Sequence, residues 1–369
     1  MNVAVAIRRF RTFGKQIIAS WDRFWFTAID PSMLCGMRIL CGLFLLYSHV
    51  VLASDLMAWI GPEAWVNSSL TADLHNGTYA PADAAWSYLW HIRSPIGLWI
   101  HHAVVIIVAA LMTAGIATRV TVPLSWFFQL MIVHRLTGVL FGFDQIVTYM
   151  VMYLSIAPCG VRFSIDAMRR PTGRIEPSVM ANIAMRLLQI HLCVIYLFGG
   201  LAKARGQSWW DGTAMWYSIG NLEYQSIDLT WMADWPRLFS AMTHITLFWE
   251  LFYVALIWPR LTRPLVLAGA VVIHGGIAIF LGMMTFGLAM ITANLVFVPW
   301  SWFGKQPVGG EDHEKSEIYT PQELARRTER LKENEAKYRQ RVARLKQREA
   351  KIKEAAERKR QLDDSELHS

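Results

Sequence analysis

Lys203 closes the apolar run Gln189–Lys203, and Trp210-Asp211-Gly212 follow soon after it. A lone amine at the end of so apolar a helix has two readings. It can snorkel to lipid headgroups, as interfacial lysines do. It can also face an enclosed site and act there as a base. Tyr196 lies seven residues before Lys203 and Gln189 fourteen before, so the three share one helical face. That polar stripe should point into a bundle. Burial disfavours the charged form of an amine, and a neutral amine can accept a proton. Glu250, if close, would oppose that neutrality.

Other chemistry-bearing residues sit where their types are costly. Arg38, Arg186 and Glu250 fall inside apolar segments, where a charge costs about 2.5–3.5 kcal/mol on insertion scales. Each therefore calls for a partner. One reading pairs an arginine with a glutamate across helices. The other has such pairs line a polar cavity and bind an anionic or carbonyl group. His274 stands beside Gly275 and Gly276, which permit close helix packing; it reads as a hydrogen-bonded packing residue or as a site residue. His134 and Asp144 flank an outer turn, and Trp210 follows Lys203. The candidate site is then Lys203 as base, with Tyr196, His274, Glu250, Arg38, His134, Asp144 and Trp210 as its surroundings. His101-His102 are adjacent on a helix and point apart, a poor chelate. The four cysteines show no CxxC spacing, which suggests neither zinc nor a disulfide scaffold.

The elements that position these residues are membrane helices. The 369 residues are 54% hydrophobic with 17 Trp, too apolar for a soluble chain of this length. A span needs about 20 apolar residues. Eight candidates occur, at 32–53, 98–117, 120–136, 144–159, 179–202, 240–258, 264–281 and 284–301. The fold class is all-α integral membrane, an eight-helix polytopic bundle over 28–302 with a C-terminal cytoplasmic helix. With eight spans, Arg23, Arg119, Arg162, Arg169, Arg170, Arg174, Arg260 and Arg263 share one side. The positive-inside rule makes that side, and both termini, cytoplasmic.

The other side receives two loops rich in Trp and Tyr, 54–97 and 203–239. They suit an interfacial belt or half-buried lids. Asn67 and Asn76 head glycosylation patterns there. The net charge of +8 lies mostly in the terminal arms, which speaks of topology and acidic lipid, with no nucleic-acid motif in view. Residues 1–27 read as a basic cytoplasmic arm or interfacial helix, with no cleavage signal. After a polar linker at 303–317, Thr320-Pro321-Gln322-Glu323 starts a helix in the basic segment 318–369. Leu324, Leu331, Tyr338, Leu345 and Ile352 recur every seven residues. The companion heptad positions are mostly polar, so the helix can bind a partner, self-associate or lie on acidic lipid.

Asp30-Pro31, with Arg38 and Gly42 after them, resembles the first membrane helix of vitamin K-dependent γ-glutamyl carboxylase and its bacterial relatives, the HTTM (horizontally transferred transmembrane) domain proteins. Tyr196-Leu197-Phe198-Gly199-Gly200-Leu201-Ala202-Lys203, followed by Trp210-Asp211-Gly212, is similar to that family's tyrosine–glycine–lysine element. Glu250 and His274 are spaced as an acidic residue and a histidine are in the carboxylase. The Asp144 region and Phe163-Ser164-Ile165-Asp166 also look like HTTM sequence, and the likeness spans residues 28–302.

The resemblance implies a lysine, Lys203, that deprotonates a vitamin K-type hydroquinone, menaquinone or phylloquinone. Oxygen then adds, an epoxide forms, and the strong base so generated takes a proton from a peptide glutamate that captures CO2. Two departures limit the carry-over. Ser48 stands where the family often has an acidic residue, and a basic helix replaces the carboxylase's large lumenal region. The competing reading is a non-catalytic HTTM membrane scaffold or peptide-maturation partner. A transporter ranks below both, since no internal repeat of the spans appears.

Overall fold

The structure is a computed structural model that describes residues 3–75, 86–169, 175–303 and Glu329. The segment carrying the heptad stripe, the linker before it and Asn76 lie outside the described residues, Glu329 apart. Among the described residues every regular element is helical, apart from one bridge between Ile29 and Ser178.

The long helices are α1 (Val3–Phe26), α2 (Ser32–Ser54), α5 (Pro95–Ala114), α6 (Thr118–Arg135), α7 (Gly142–Ile156), α9 (Val179–Ala204), α12 (Pro236–Leu256), α13 (Arg263–Phe280) and α14 (Met284–Asn294). Each of the eight apolar segments read from the sequence forms one of them. Five (α2, α5, α9, α12 and α13) are long and apolar enough to cross a membrane. α7 and α14 fall short in length, with 15 and 11 residues. α6 carries Arg119 and Arg135 within its 18 residues.

Local chemistry moves several boundaries away from the hydropathy limits. Ser94 caps α5 by accepting from the Gly97 amide, Pro95 opens it, and left-handed Gly115 (φ 74) closes it. α5 therefore runs three residues earlier than its apolar run. α7 stops at Ile156 because Ala157 precedes a proline and turns extended. α12 starts at Pro236, well before its apolar stretch. The two loops of the aromatic end are partly ordered into α3 (Leu56–Ile60), α4 (Ser68–His75), a 3₁₀ turn at Tyr88–Trp90, α10 (Gln207–Trp210) and α11 (Ala214–Ile219). Asn67 serves there as a cap: its side-chain oxygen accepts from the Ser69 amide and hydroxyl.

The eight helices alternate in direction. α2, α6, α9 and α13 begin at the end where α5, α7, α12 and α14 finish. Contacts tie that end together: Arg162 donates to Ser32 at 3.0 Å, Ile29 pairs with Ser178, and Trp258 packs on Phe297 and Phe24. Arg23, Arg119, Arg162, Arg169, Arg260 and Arg263 all belong to it.

Arg38 also lies toward this basic end. Its guanidinium is fully buried and donates to the Phe163 carbonyl, while Gly115 presses against it closely enough that no Cβ would fit. Phe163 (φ 52) and Ala117 (φ 47) are held in the left-handed region, which is uncommon for side chains of their kind. Asp166, in the short helix α8 (Ile165–Met168), fastens this corner. Its carboxylate accepts from the Ala117 amide at 2.9 Å, the Thr118 amide at 2.8 Å and the Thr118 hydroxyl at 2.9 Å. It thereby satisfies the opening amides of α6 from 48 residues away.

The expected arginine–glutamate pairing does not form. Arg38 turns to a backbone carbonyl, and Arg186 bonds Gln189 and the Phe24 carbonyl while stacking on the Phe24 ring. One carbonyl oxygen meets one nitrogen of Arg38, whose Nε and Nη1 are buried without a hydrogen-bond partner among the described residues, while a carbonyl, an amide oxygen and a ring face meet Arg186; neither arginine has a counter-charge in contact. Glu250 pairs with a lysine, as described below.

Asp166→Ala should lower stability by about 1–2 kcal/mol, since three donors lose one acceptor. Burial alone would raise the Asp166 pKa, but the Thr118 and Ala117 amides, the Thr118 hydroxyl and Arg169 outweigh it and hold the carboxyl below the usual carboxylate range. Its contribution is then complete above the ordinary aspartate range and is lost as pH falls through the lower folded value. Thermal melts of detergent-solubilised protein over acid pH, against Asp166→Asn, check this. An unchanged melting profile in the variant would remove the anchor role.

Candidate functional site

α9 and α12 cross closely at Gly200. A Cβ on Gly200 would meet the Leu251 side chain at 3.0 Å and its amide nitrogen at 3.1 Å. Small residues that let backbones approach are the usual device for helices in lipid. The approach brings Lys203 on α9 to Glu250 on α12. Lys203 Nζ donates to Glu250 Oε2 at 2.7 Å, with side-chain exposures of 29% and 9%. The Trp209 ring centre lies 5.5 Å from the same ammonium, within cation–π range.

A second polar group occupies the same interface, two turns down α9. Tyr196 is seven residues before Lys203, about 10 Å along a helix. Its hydroxyl contacts His274 Nε2 at 2.7 Å and receives the Asn294 side-chain amide at 2.9 Å. Tyr253 donates to Asn294 Oδ1 at 2.7 Å. All four residues are buried. Aromatic rings surround them: Tyr253 lies 4.1 Å from Tyr196 between centroids, Trp249 5.0 Å from Tyr196, and Phe286 6.0 Å from His274. Gly269 lets the Trp249 indole settle against α13. His274 Nδ1 and Trp249 Nε1 are buried without a hydrogen-bond partner among the described residues.

The structure sorts the residues singled out in the sequence into groups. Lys203 meets Glu250 across α9 and α12, and Tyr196 meets His274 across α9 and α13; the helical stripe spoke only for Lys203, Tyr196 and Gln189. Gln189 continues the stripe but donates to the Val296 carbonyl at 2.7 Å, joining α9 to the chain after α14. Arg38 is at the basic end, with the corner around Phe163. His134 donates to the Trp86 carbonyl at 2.9 Å, and Asp144 accepts from the Phe141 amide at 3.0 Å to start α7. Trp210 donates to the Ala204 carbonyl at 2.7 Å, closing the end of α9. These last three organise turns near the aromatic end; the ring over the lysine is Trp209.

Asn294, Tyr253, Trp249 and Phe286 were not singled out. Tyr253 lies one turn beyond Glu250 on α12, so helical spacing from Glu250 could have pointed to it. Asn294 ends α14, where a polar residue reads as a helix terminus.

The amine expected to be dry and uncharged is in contact with a carboxylate and is partly accessible. It can hold its proton itself or share it with Glu250, because the pair forms one short donor–acceptor contact.

A family description, HTTM domain, matches residues 26–302. No curated protein and no solved structure matches the chain.

Removing one partner of the Lys203–Glu250 pair strands the other in apolar surroundings. With Lys203 partly accessible, Lys203→Met and Glu250→Gln should each cost about 1–3 kcal/mol. The double variant should lose clearly less than their sum. Additive losses in thermal unfolding would show that the contact carries no coupling.

Proposed function

Because the chain belongs to the HTTM-domain family, we propose that this integral membrane protein is an enzyme of the γ-carboxylase kind. In this reading Lys203 acts as base on a reduced vitamin K-type quinone, leading to epoxidation, carboxylation of a peptide glutamate, or both. The observation that carries the reading is Lys203 in contact with Glu250 beside the buried Tyr196–His274 group. The residues suit a flat aromatic diol. Rings of Tyr196, Trp249, Tyr253 and Phe286 offer stacking faces, and His274 Nδ1 is a buried polar atom that needs an oxygen-bearing partner. When bound, a hydroquinone supplies two electrons for the reduction of oxygen.

The chain's own part is proton handling and enclosure. Lys203 Nζ can accept a proton only after releasing its own. Glu250 Oε2, 2.7 Å away, is the acceptor for it. Ammonium–carboxylate and amine–carboxylic acid differ by one proton shift along that contact. The apolar helix faces around the pair keep competing water scarce.

We place the basic end in the cytoplasm, which sets Lys203 toward the outer face of the bilayer. The N-terminal α1 then lies at the inner surface against acidic lipid, and the peptide substrate approaches from the outside.

The same ion pair favours a second reading. A lysine closed onto a glutamate is what a non-catalytic scaffold or maturation partner would use to lock α9 to α12. The assay that separates the two incubates purified protein with reduced menaquinone or phylloquinone and oxygen and measures epoxide. Lys203→Ala should lower the rate about 100-fold or more. Equal epoxide from both proteins would eliminate Lys203 as the base, and none from the wild type would favour the scaffold.

A further inference from the structure

The hydrogen-bond chain through Tyr253, Asn294, Tyr196 and His274 has a direction. Asn294 sets it. Its Nδ2 donates to the Met290 carbonyl at 2.9 Å as well as to Tyr196. A carbonyl only accepts, so that atom is the amide nitrogen and Oδ1 is the acceptor. The Tyr253 hydroxyl therefore gives its proton to Oδ1, 2.7 Å away. The Tyr196 oxygen already receives an N–H from Asn294. Its own proton then goes to His274 Nε2 at 2.7 Å.

An imidazole nitrogen that accepts is bare, so neutral His274 carries its proton on Nδ1. The reverse assignment makes His274 donate to Tyr196. That leaves both the Tyr196 proton and the Nδ1 lone pair unmet in a buried site. The forward direction leaves one unmet group, the Nδ1–H, and unmet buried groups are what such networks avoid.

We propose that this chain holds His274 in the Nδ1–H form as a donor for an acceptor oxygen on a bound aromatic molecule. Resting on the quinone reading above, the inference deepens it: the site selects a flat ring that carries a carbonyl or phenolic oxygen. His274 is the residue that touches the ligand. Tyr196, Asn294 and Tyr253 are positioning residues that act through it, and they tie α9, α12, α13 and α14 into one unit around the donor.

The test reads the tautomer first. Full-length protein labelled with ¹⁵N-histidine, in nanodiscs, should give a His274 signal, assigned by its loss in His274→Gln, with Nδ1 protonated and Nε2 bare. Asn294→Leu, or the near-isosteric Asn294→Asp, removes the N–H that the Tyr196 oxygen receives and should shift that signal toward the other tautomer. A proton on Nε2 in the wild type, or a signal unmoved in both Asn294 variants, overturns the relay. Binding is read by equilibrium dialysis of 2-methyl-1,4-naphthoquinone against 2-methylnaphthalene, the same ring without oxygens. His274→Phe should weaken the quinone about 10-fold or more and leave the hydrocarbon unchanged; an equal effect on both overturns the donor role. These readouts need no turnover. A wild type that keeps the tautomer and the preference but forms no epoxide would therefore sink the reaction and leave this inference standing.

Discussion

The close passage of α9 over α12 is the constraint on which the site depends. A Cβ at Gly200 would crowd Leu251, standing 3.1 Å from its amide nitrogen, so a larger residue would push the two helices apart by a few tenths of an ångström. Without that approach the Lys203 and Glu250 side chains would not meet at 2.7 Å, and Tyr196 would not lie 4.1 Å from Tyr253 between ring centres. In lipid, where tails are as apolar as leucine, close van der Waals packing and buried hydrogen bonds hold helices together. This interface uses both.

Two polar centres thus share one seam with different characters. The Lys203–Glu250 pair is partly accessible and joined by one short ionic contact. The group around Tyr196 and His274 is buried and networked. A membrane protein can maintain a lone amine near its surface cheaply, but a buried network must be nearly complete to be tolerated. Within this seam, the buried atoms left without a partner among the described residues are His274 Nδ1 and Trp249 Nε1. At the basic end the same economy appears in another form. Arg38 is met by a carbonyl of the bent backbone around Phe163, and Asp166 satisfies the first amides of α6.

Much of this was legible in the residues. Seven-residue spacing put Tyr196 and Lys203 on one face, and they do share one. The run of apolar segments separated by arginines marks the helices and the end at which the arginines gather. The likeness around Tyr196–Lys203 and Asp30–Gly42 pointed to the HTTM family, which the match over residues 26–302 bears out. Other readings missed because the signal was not local. Arg38 looked like a site residue from its cost in an apolar span, yet a carbonyl 125 positions away supplies its partner. Trp210 and Trp209 are neighbours, and sequence offers no means of telling which ring lies over the lysine.

The sequence by itself determined the helices, through apolar runs ended by glycine, proline and capping serines, because those effects act within a few residues. It also determined that Lys203, Tyr196 and Gln189 would line up. Only the tertiary structure decided that Lys203 meets Glu250, and that Asn294 orients a chain from Tyr253 to His274. Those contacts join residues 41–98 positions apart, and their geometry depends on how closely whole helices pack.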